Sequence, residues 1–124
     1  MTSLAAGTQS WDDAAEPVST RVIADNSFSD SRIFGLPTGI EHNGRTITLK
    51  MMDIDTGGLV KLDPGMASPG TNDQIEDYTS PGTMLAAGVD VSFGTAALSN
   101  AYTYQAFWVA STQKMLWFFV GGTS

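Results

Sequence analysis

The chain has 124 residues, of which 42% are hydrophobic and only 15% are charged, and its formal net charge is −7. This length suits a single domain with its own core, and the scattered Lys and Arg residues argue against binding to nucleic acid or to an anionic membrane surface. The longest apolar run, 115–120, is far shorter than the roughly 18 residues that cross a bilayer, and the lack of cysteine excludes disulfides and thiolate metal sites.

The first 18 residues are small and polar, and they follow neither the strand period nor the helix period. Leu4 and Trp11 are the exceptions, and Pro17 limits any helical turn. A large indole needs a place for its ring and a partner for its N–H, so Trp11 either folds back onto its own domain or docks on a neighbouring subunit. We therefore predict an extended N-terminal arm over residues 1–18 and one folded domain over residues 19–124.

From Ser19 onward, short runs of β-branched and aromatic residues are separated by turn residues, which is typical of strands. Ile47, Leu49 and Met51 alternate with polar neighbours, which indicates a strand with one buried face. About eight strands in about 100 residues is the density of sandwich folds. We therefore predict an all-β fold, an antiparallel β-sandwich or jelly-roll-like domain, with strands near 21–24, 31–36, 45–52, 58–62, 83–85, 89–93, 102–110 and 115–120.

The last two predicted strands are the most aromatic, and residues 111–114 close them into a hairpin. Alternation places one set of side chains on one face and a second set on the other: Tyr102, Tyr104, Ala106 and Trp108, against Thr103, Gln105, Phe107 and Val109. Both faces carry rings, so we expect one to fill the core and the other to pack on a neighbouring subunit, with sugar stacking as the alternative. Before this hairpin, residues 66–81 predict a long exposed loop.

Groups suited to catalysis are sparse in the sequence. The only histidine, His42, lies in a His-Asn-Gly turn, and no nucleophile elbow, phosphate-binding loop or dinucleotide fingerprint occurs. Asp53 and Asp55 begin like a calcium loop, but Gly57 and Pro64 stand where that loop needs an oxygen ligand and its final Glu. We therefore predict that the chain is not an enzyme and needs no cofactor or metal.

The order of strands and turns from residue 43 onward carries a resemblance to a known class of proteins. It runs NGRTITLKMMDIDTGGLVKLDPG, then a loop, then SPGTMLAAGVDVSF, and then YQAFWVASTQKMLWFFVGG. This order resembles the small β-sandwich modules of tailed-bacteriophage fibre, head-fibre and capsid-decoration proteins. The resemblance covers about residues 18–121 and consists of turn chemistry and alternation, without a shared functional residue.

The resemblance implies a non-enzymatic structural protein of the virion, often a homotrimer. We expect a capsid-decoration protein that is assembled in the host cytoplasm and sits on the capsid surface, where it binds the major capsid protein of the same virus. Neither nucleic acid nor a membrane is an expected partner. The alternative is a receptor- or glycan-binding tip domain of a phage fibre. The residues expected to contact partners are Leu4, Trp11, Val18, Tyr104, Trp108 and Trp117.

Overall fold

The protein is mostly β-structure in its computed structural model, which describes residues 7–12, 16–23, 31–51, 59–64, 72–93 and 101–123. This confirms the all-β prediction. The described helical structure is a single 3-10 turn, Ile40–His42, and it does not have the length or the apolar character to cross a membrane. The strands are β1 (Gly7–Ser10), β2 (Thr20–Ile23), β3 (Ser31–Gly35), β4 (Thr46–Met51), β5 (Leu59–Asp63), β6 (Gln74–Ile75), β7 (Val91–Phe93), β8 (Ala101–Val109) and β9 (Lys114–Thr123).

The strands form two mixed sheets, one of four strands in the order β1-β3-β5-β7 and one of five in the order β2-β4-β8-β9-β6. From β1 to β8 the chain places each successive strand in the opposite sheet. Four pairs of neighbouring strands are joined by one crossing to the other sheet and back, and in three of them, β1 with β3, β2 with β4 and β3 with β5, the chain returns in its original direction. In the fourth, β5 with β7, it returns in the opposite direction.

The predicted antiparallel pairing is therefore wrong for four of the described strand pairs: β1 with β3, β3 with β5, β2 with β4 and β6 with β9 are parallel. Antiparallel pairing occurs between β5 and β7, between β4 and β8, and along the hairpin of β8 and β9. The turn residues were the basis of the antiparallel expectation. They report where the chain reverses, and they do not report whether the next strand joins the same sheet.

Both sheets contribute to a single hydrophobic core. The ring of Phe93 in β7 lies 4.8 Å from that of Tyr102 in β8, and Tyr78 stacks on Phe93 at 4.7 Å with the ring planes 8° apart. At the other end, the guanidinium of Arg21 in β2 lies 5.1 Å from the ring centroid of Phe34 in β3. The buried apolar residues are Trp11, Ile23, Phe34, Leu36, Ile47, Leu49, Met51, Val60, Leu62, Ile75, Val91, Phe93, Tyr102, Tyr104, Ala106, Met115 and Trp117.

Two segments differ from the sequence-based expectation. Within 66–81, the prediction of an exposed loop is wrong for residues 73–76, because β6 pairs with β9 and its flanking residues Asp73 and Glu76 are buried; residues 66–71 lie outside the described residues. The predicted strand 83–85 is reduced to one isolated bridge between Met84 and Glu76.

The described residues of 1–18 belong to the fold, since β1 pairs with β3 and Trp11 is in the core.

Candidate functional site

Strands β8 and β9 expose a patch of apolar side chains, which we call the outer hairpin face: Phe107, Leu116, Phe118 and Val120. Phe107 is 54% exposed, Phe118 36% and Val120 54%, while Leu116 is half-buried. The rings of Phe107 and Phe118 meet nearly edge to face, with centroids 6.4 Å apart. Large apolar side chains that are exposed singly are ordinary, but adjacent ones on one face form the kind of patch that marks a contact with another molecule.

Alternation along the hairpin puts these side chains outside. Phe107 is paired with Leu116, and the next pair towards the middle of the hairpin, Ala106 with Trp117, is buried. The register shifts between Thr103 and Tyr104, and beside this shift Phe119 packs against the core while its neighbour Val120 points outward. The outer hairpin face is therefore a consequence of strand geometry acting on an unusually apolar sequence.

The rest of this side of the five-stranded sheet is polar and carries little charge. Thr48 of β4 and Thr103 of β8 place their hydroxyl oxygens 3.0 Å apart, and the amide of Gln105 donates to the carbonyl oxygen of Gly44 at 3.2 Å. At the end of the hairpin, the Lys114 ammonium donates to the side-chain oxygen of Gln74 at 2.8 Å. None of the five strands of this sheet contains Asp or Glu, although the whole chain has a net charge of −7.

A second group of contacts, the N-terminal anchor, joins Trp11, Asp12 and Val18 to Arg45, the residue before β4. The buried Trp11 indole donates its N–H to the Val18 carbonyl at 2.7 Å, and its ring meets Phe34 edge-on with centroids 5.5 Å apart. The Arg45 guanidinium also donates to the Val18 carbonyl, at 2.9 Å. Val18 is thus held by both the Trp11 indole and the Arg45 guanidinium.

The carboxylate of Asp12 joins Val18 to Arg45, which directly precedes β4. It accepts hydrogen bonds from two nitrogens of Arg45 and from the backbone N–H of Val18. Partial burial by itself would raise the pKa of Asp12, but the hydrogen bonds from Arg45 and Val18 and the positive charge of Arg45 outweigh it and lower the pKa below the usual value. His42 extends the group, since its Nδ1 lies 3.3 Å from Arg45 Nη1.

Glu76 has a similar structural role on the other side of the molecule. One carboxylate oxygen accepts the N–H of Gly82 at 2.7 Å, and the other accepts the N–H of Phe119 at 3.0 Å. Its carbonyl accepts the hydroxyl of Tyr104 at 2.9 Å. These bonds connect the turn at Gly82 to both strands of the aromatic hairpin.

Comparison with protein-family models, with curated proteins and with solved structures gives no match. Within the described segments, no group of three His, Asp or Glu side chains could hold a metal ion. Asp53 and Asp55, which begin like a calcium loop, lie outside the described residues.

The side chains expected to contact partners lie on the inner side of the fold wherever they are described. Trp11, Tyr104 and Trp117 are fully buried, Val18 and Trp108 are half-buried against the core, and Leu4 lies outside the described residues. Among the described hairpin residues, the exposed rings are those of Phe107 and Phe118. Alternation in the sequence had already separated Phe107 from Tyr104 and Trp108, and this was the signal that could have identified the exposed face.

Proposed function

We propose that this chain is a non-enzymatic structural protein of a bacteriophage particle, a decoration protein that binds the major capsid protein on the outer surface of the head and stabilises the shell. Its two sheets would stack as a β-sandwich around the shared core, and it would act as a homotrimer. The proposal combines the resemblance of residues 18–121 to such modules with one structural observation, the outer hairpin face.

The outer hairpin face supports the proposal because its side chains lie outside the described core. Both large rings of this patch, Phe107 and Phe118, remain in contact with solvent, whereas Tyr104 and Trp117 on the opposite face of the same strands are buried. An exposed apolar patch raises the free energy of the isolated chain by roughly 25 cal/mol for each Å² of apolar surface left in water. Association with another protein surface recovers that free energy.

Strand addition offers a second mode of contact with a capsid. β1 is an edge strand of the four-stranded sheet, and none of the described strands pairs with its outer edge. Its sequence, GTQS, carries no charge and no proline, the features by which edge strands commonly avoid pairing with other chains. An extended segment of a capsid protein could add to this edge through main-chain hydrogen bonds, and many copies on one shell would add their modest individual contributions.

Co-sedimentation with undecorated capsids tests the proposal. We expect the full chain to sediment with the capsids and to raise the temperature at which they release their contents, because each bound copy links neighbouring capsid subunits. A deletion of residues 1–6 measures the contribution of the segment before β1 without removing Trp11. A folded protein that neither sediments with capsids nor changes their stability would contradict the proposed function.

The exposed ring of Phe107 supports a second candidate function, glycan binding by a fibre tip. Gln105 lies two residues away on the same face and supplies a polar group beside the ring, as sugar-stacking sites require. A glycan array probed with the full chain and with Phe107→Ala tests this alternative. Binding to one class of glycans that is lost in the variant would favour the fibre tip over the decoration protein.

A further inference from the structure

We propose that the outer hairpin face is covered by a second copy of this chain, so that the five-stranded sheet is the surface through which copies associate. The inference deepens the proposed function and rests on its homo-oligomeric state. It assigns the contact between copies to the outer hairpin face, which includes none of the six residues that the sequence predicted to contact partners.

The distribution of exposed apolar side chains favours this sheet over the rest of the described surface. Of the five large apolar residues that are exposed in the described part of the chain, three lie on the outer hairpin face. The other two, Ile40 and Val89, lie on separate elements, the 3-10 turn and the segment before β7. Adjacent apolar side chains can be buried together by one flat partner, whereas two isolated ones cannot.

The charge pattern favours a copy of the same chain as that partner. Two chains that each carry a net charge of −7 repel one another overall. The strands of the five-stranded sheet contain no acid; of their three cationic residues, Arg21 is buried, and Lys50 and Lys114 stand at opposite ends of the sheet. Two copies that meet through this sheet therefore bring no carboxylates of its strands together.

The area of the sheet is sufficient for such a contact. Its strands contain four, six, nine, ten and two residues. With about 3.3 Å of length per residue and about 4.8 Å between strands, the sheet covers roughly 500 Å² per copy, or roughly 1,000 Å² for two. That is close to the lower limit of about 1,000 Å² for a specific interface.

The mass of the purified protein in solution, measured by light scattering over a range of concentrations, tests the inference without any capsid. We expect the mass of an assembly of two or more copies of the 13.1 kDa chain. Val120→Asp places a charge in the proposed contact and should weaken association at least about 100-fold. Val89→Asp is the matched control, because it makes the same change at another exposed valine, and it should leave the mass unchanged.

Chemical cross-linking gives a second readout that does not depend on destabilising the contact. The chain contains no cysteine, so Val120→Cys introduces a single thiol. We expect oxidation to join two copies through Cys at this position and not through Cys in the control Val89→Cys. A wild-type protein that is monomeric at every concentration, or a Val120→Asp variant that keeps the wild-type mass, would overturn the inference.

Failure of this inference and failure of the proposed decoration function give different experimental results. A protein that self-associates through this face but ignores capsids retains the inference and loses the decoration role. The opposite result is a monomeric wild type that sediments with capsids and a Phe118→Asp variant that does not. That result assigns the outer hairpin face to the capsid protein and overturns the inference.

Discussion

Replacing Trp11 with alanine should destabilise the protein severely, although this residue lies in a segment whose sequence looks like a polar arm. The indole is fully buried and packs edge-on against Phe34. Truncating a buried tryptophan to alanine costs about 3–5 kcal/mol through lost burial and the cavity it leaves. The Arg21 guanidinium, 5.7 Å from the indole centroid, would also lose its aromatic neighbour.

The lost hydrogen bond of the indole adds little to this cost in free energy of unfolding. The Val18 carbonyl loses the indole N–H, but it keeps the hydrogen bond from Arg45 at 2.9 Å, so no buried acceptor is orphaned. We therefore expect Trp11→Ala to lower the free energy of unfolding by about 4 kcal/mol. For a domain of this size the midpoint of thermal unfolding should fall by roughly 10–20 °C.

Urea unfolding followed by far-ultraviolet circular dichroism measures this loss without relying on tryptophan fluorescence. Trp108→Ala is the control, because the same side chain is removed from a half-buried position, and it should cost clearly less. If Trp11→Ala lowers the free energy of unfolding by less than about 1 kcal/mol, the indole is not part of the core and its burial against Phe34 is incorrect.

Three further predictions concern the N-terminal residues, Asp12 and Tyr104. Deleting residues 1–18 should abolish cooperative unfolding, whereas deleting residues 1–6 should leave the unfolding midpoint within a few degrees, as calorimetry would show. The lowered pKa of Asp12 means that the unfolded chain takes up this proton more readily, so the stability it contributes is present above about pH 4 and is lost as the pH falls through the folded-state pKa. Urea titrations in acid should show a shallower loss for Asp12→Asn, and an unchanged pH dependence would contradict the ion pair with Arg45. Burial, with the nearby Glu76, raises the pKa of Tyr104, so the stability that its neutral phenol contributes is lost as the pH rises above about 10. In an ultraviolet titration, wild type and Tyr104→Phe should therefore show the same number of tyrosines ionising before alkaline unfolding. One more ionising tyrosine in wild type would mean that the Tyr104 phenol is accessible to solvent.

The regular strands could be predicted from the sequence because their burial is periodic. Ile47, Leu49 and Met51 are buried as their spacing indicates, and the alternation along β8 separates its buried and outer side chains correctly. β1 was missed because its sequence, GTQS, contains no apolar side chain, and its backbone pairing with β3 leaves no mark in a hydrophobic pattern. β6 was missed because two residues are too few to display a period.

The pairing of strands and the exposed surface were harder to predict for a different reason. Parallel pairing between β2 and β4 depends on where β3 goes, which no local pattern encodes. The candidate contact residues include Trp11 and Trp117, whose large apolar rings gain much from burial in the chain's own core. Phe118 and Val120 belong to the apolar run 115–120, whose composition does not show which of its side chains face outward.

The alternation of the chain between its two sheets also determines the order in which the fold can be completed during synthesis. Apart from the hairpin of β8 and β9, each strand pair joins segments separated by at least one intervening strand. All four strands of the four-stranded sheet have been synthesised once residue 93 has left the ribosome. In the five-stranded sheet, β8 and β9 lie between β4 and β6, so this sheet cannot be completed before residues 101–123 have been synthesised. Until then one side of the nascent core is open, so a cell that makes this protein must shield those apolar side chains for longer than it would in a chain built from successive hairpins.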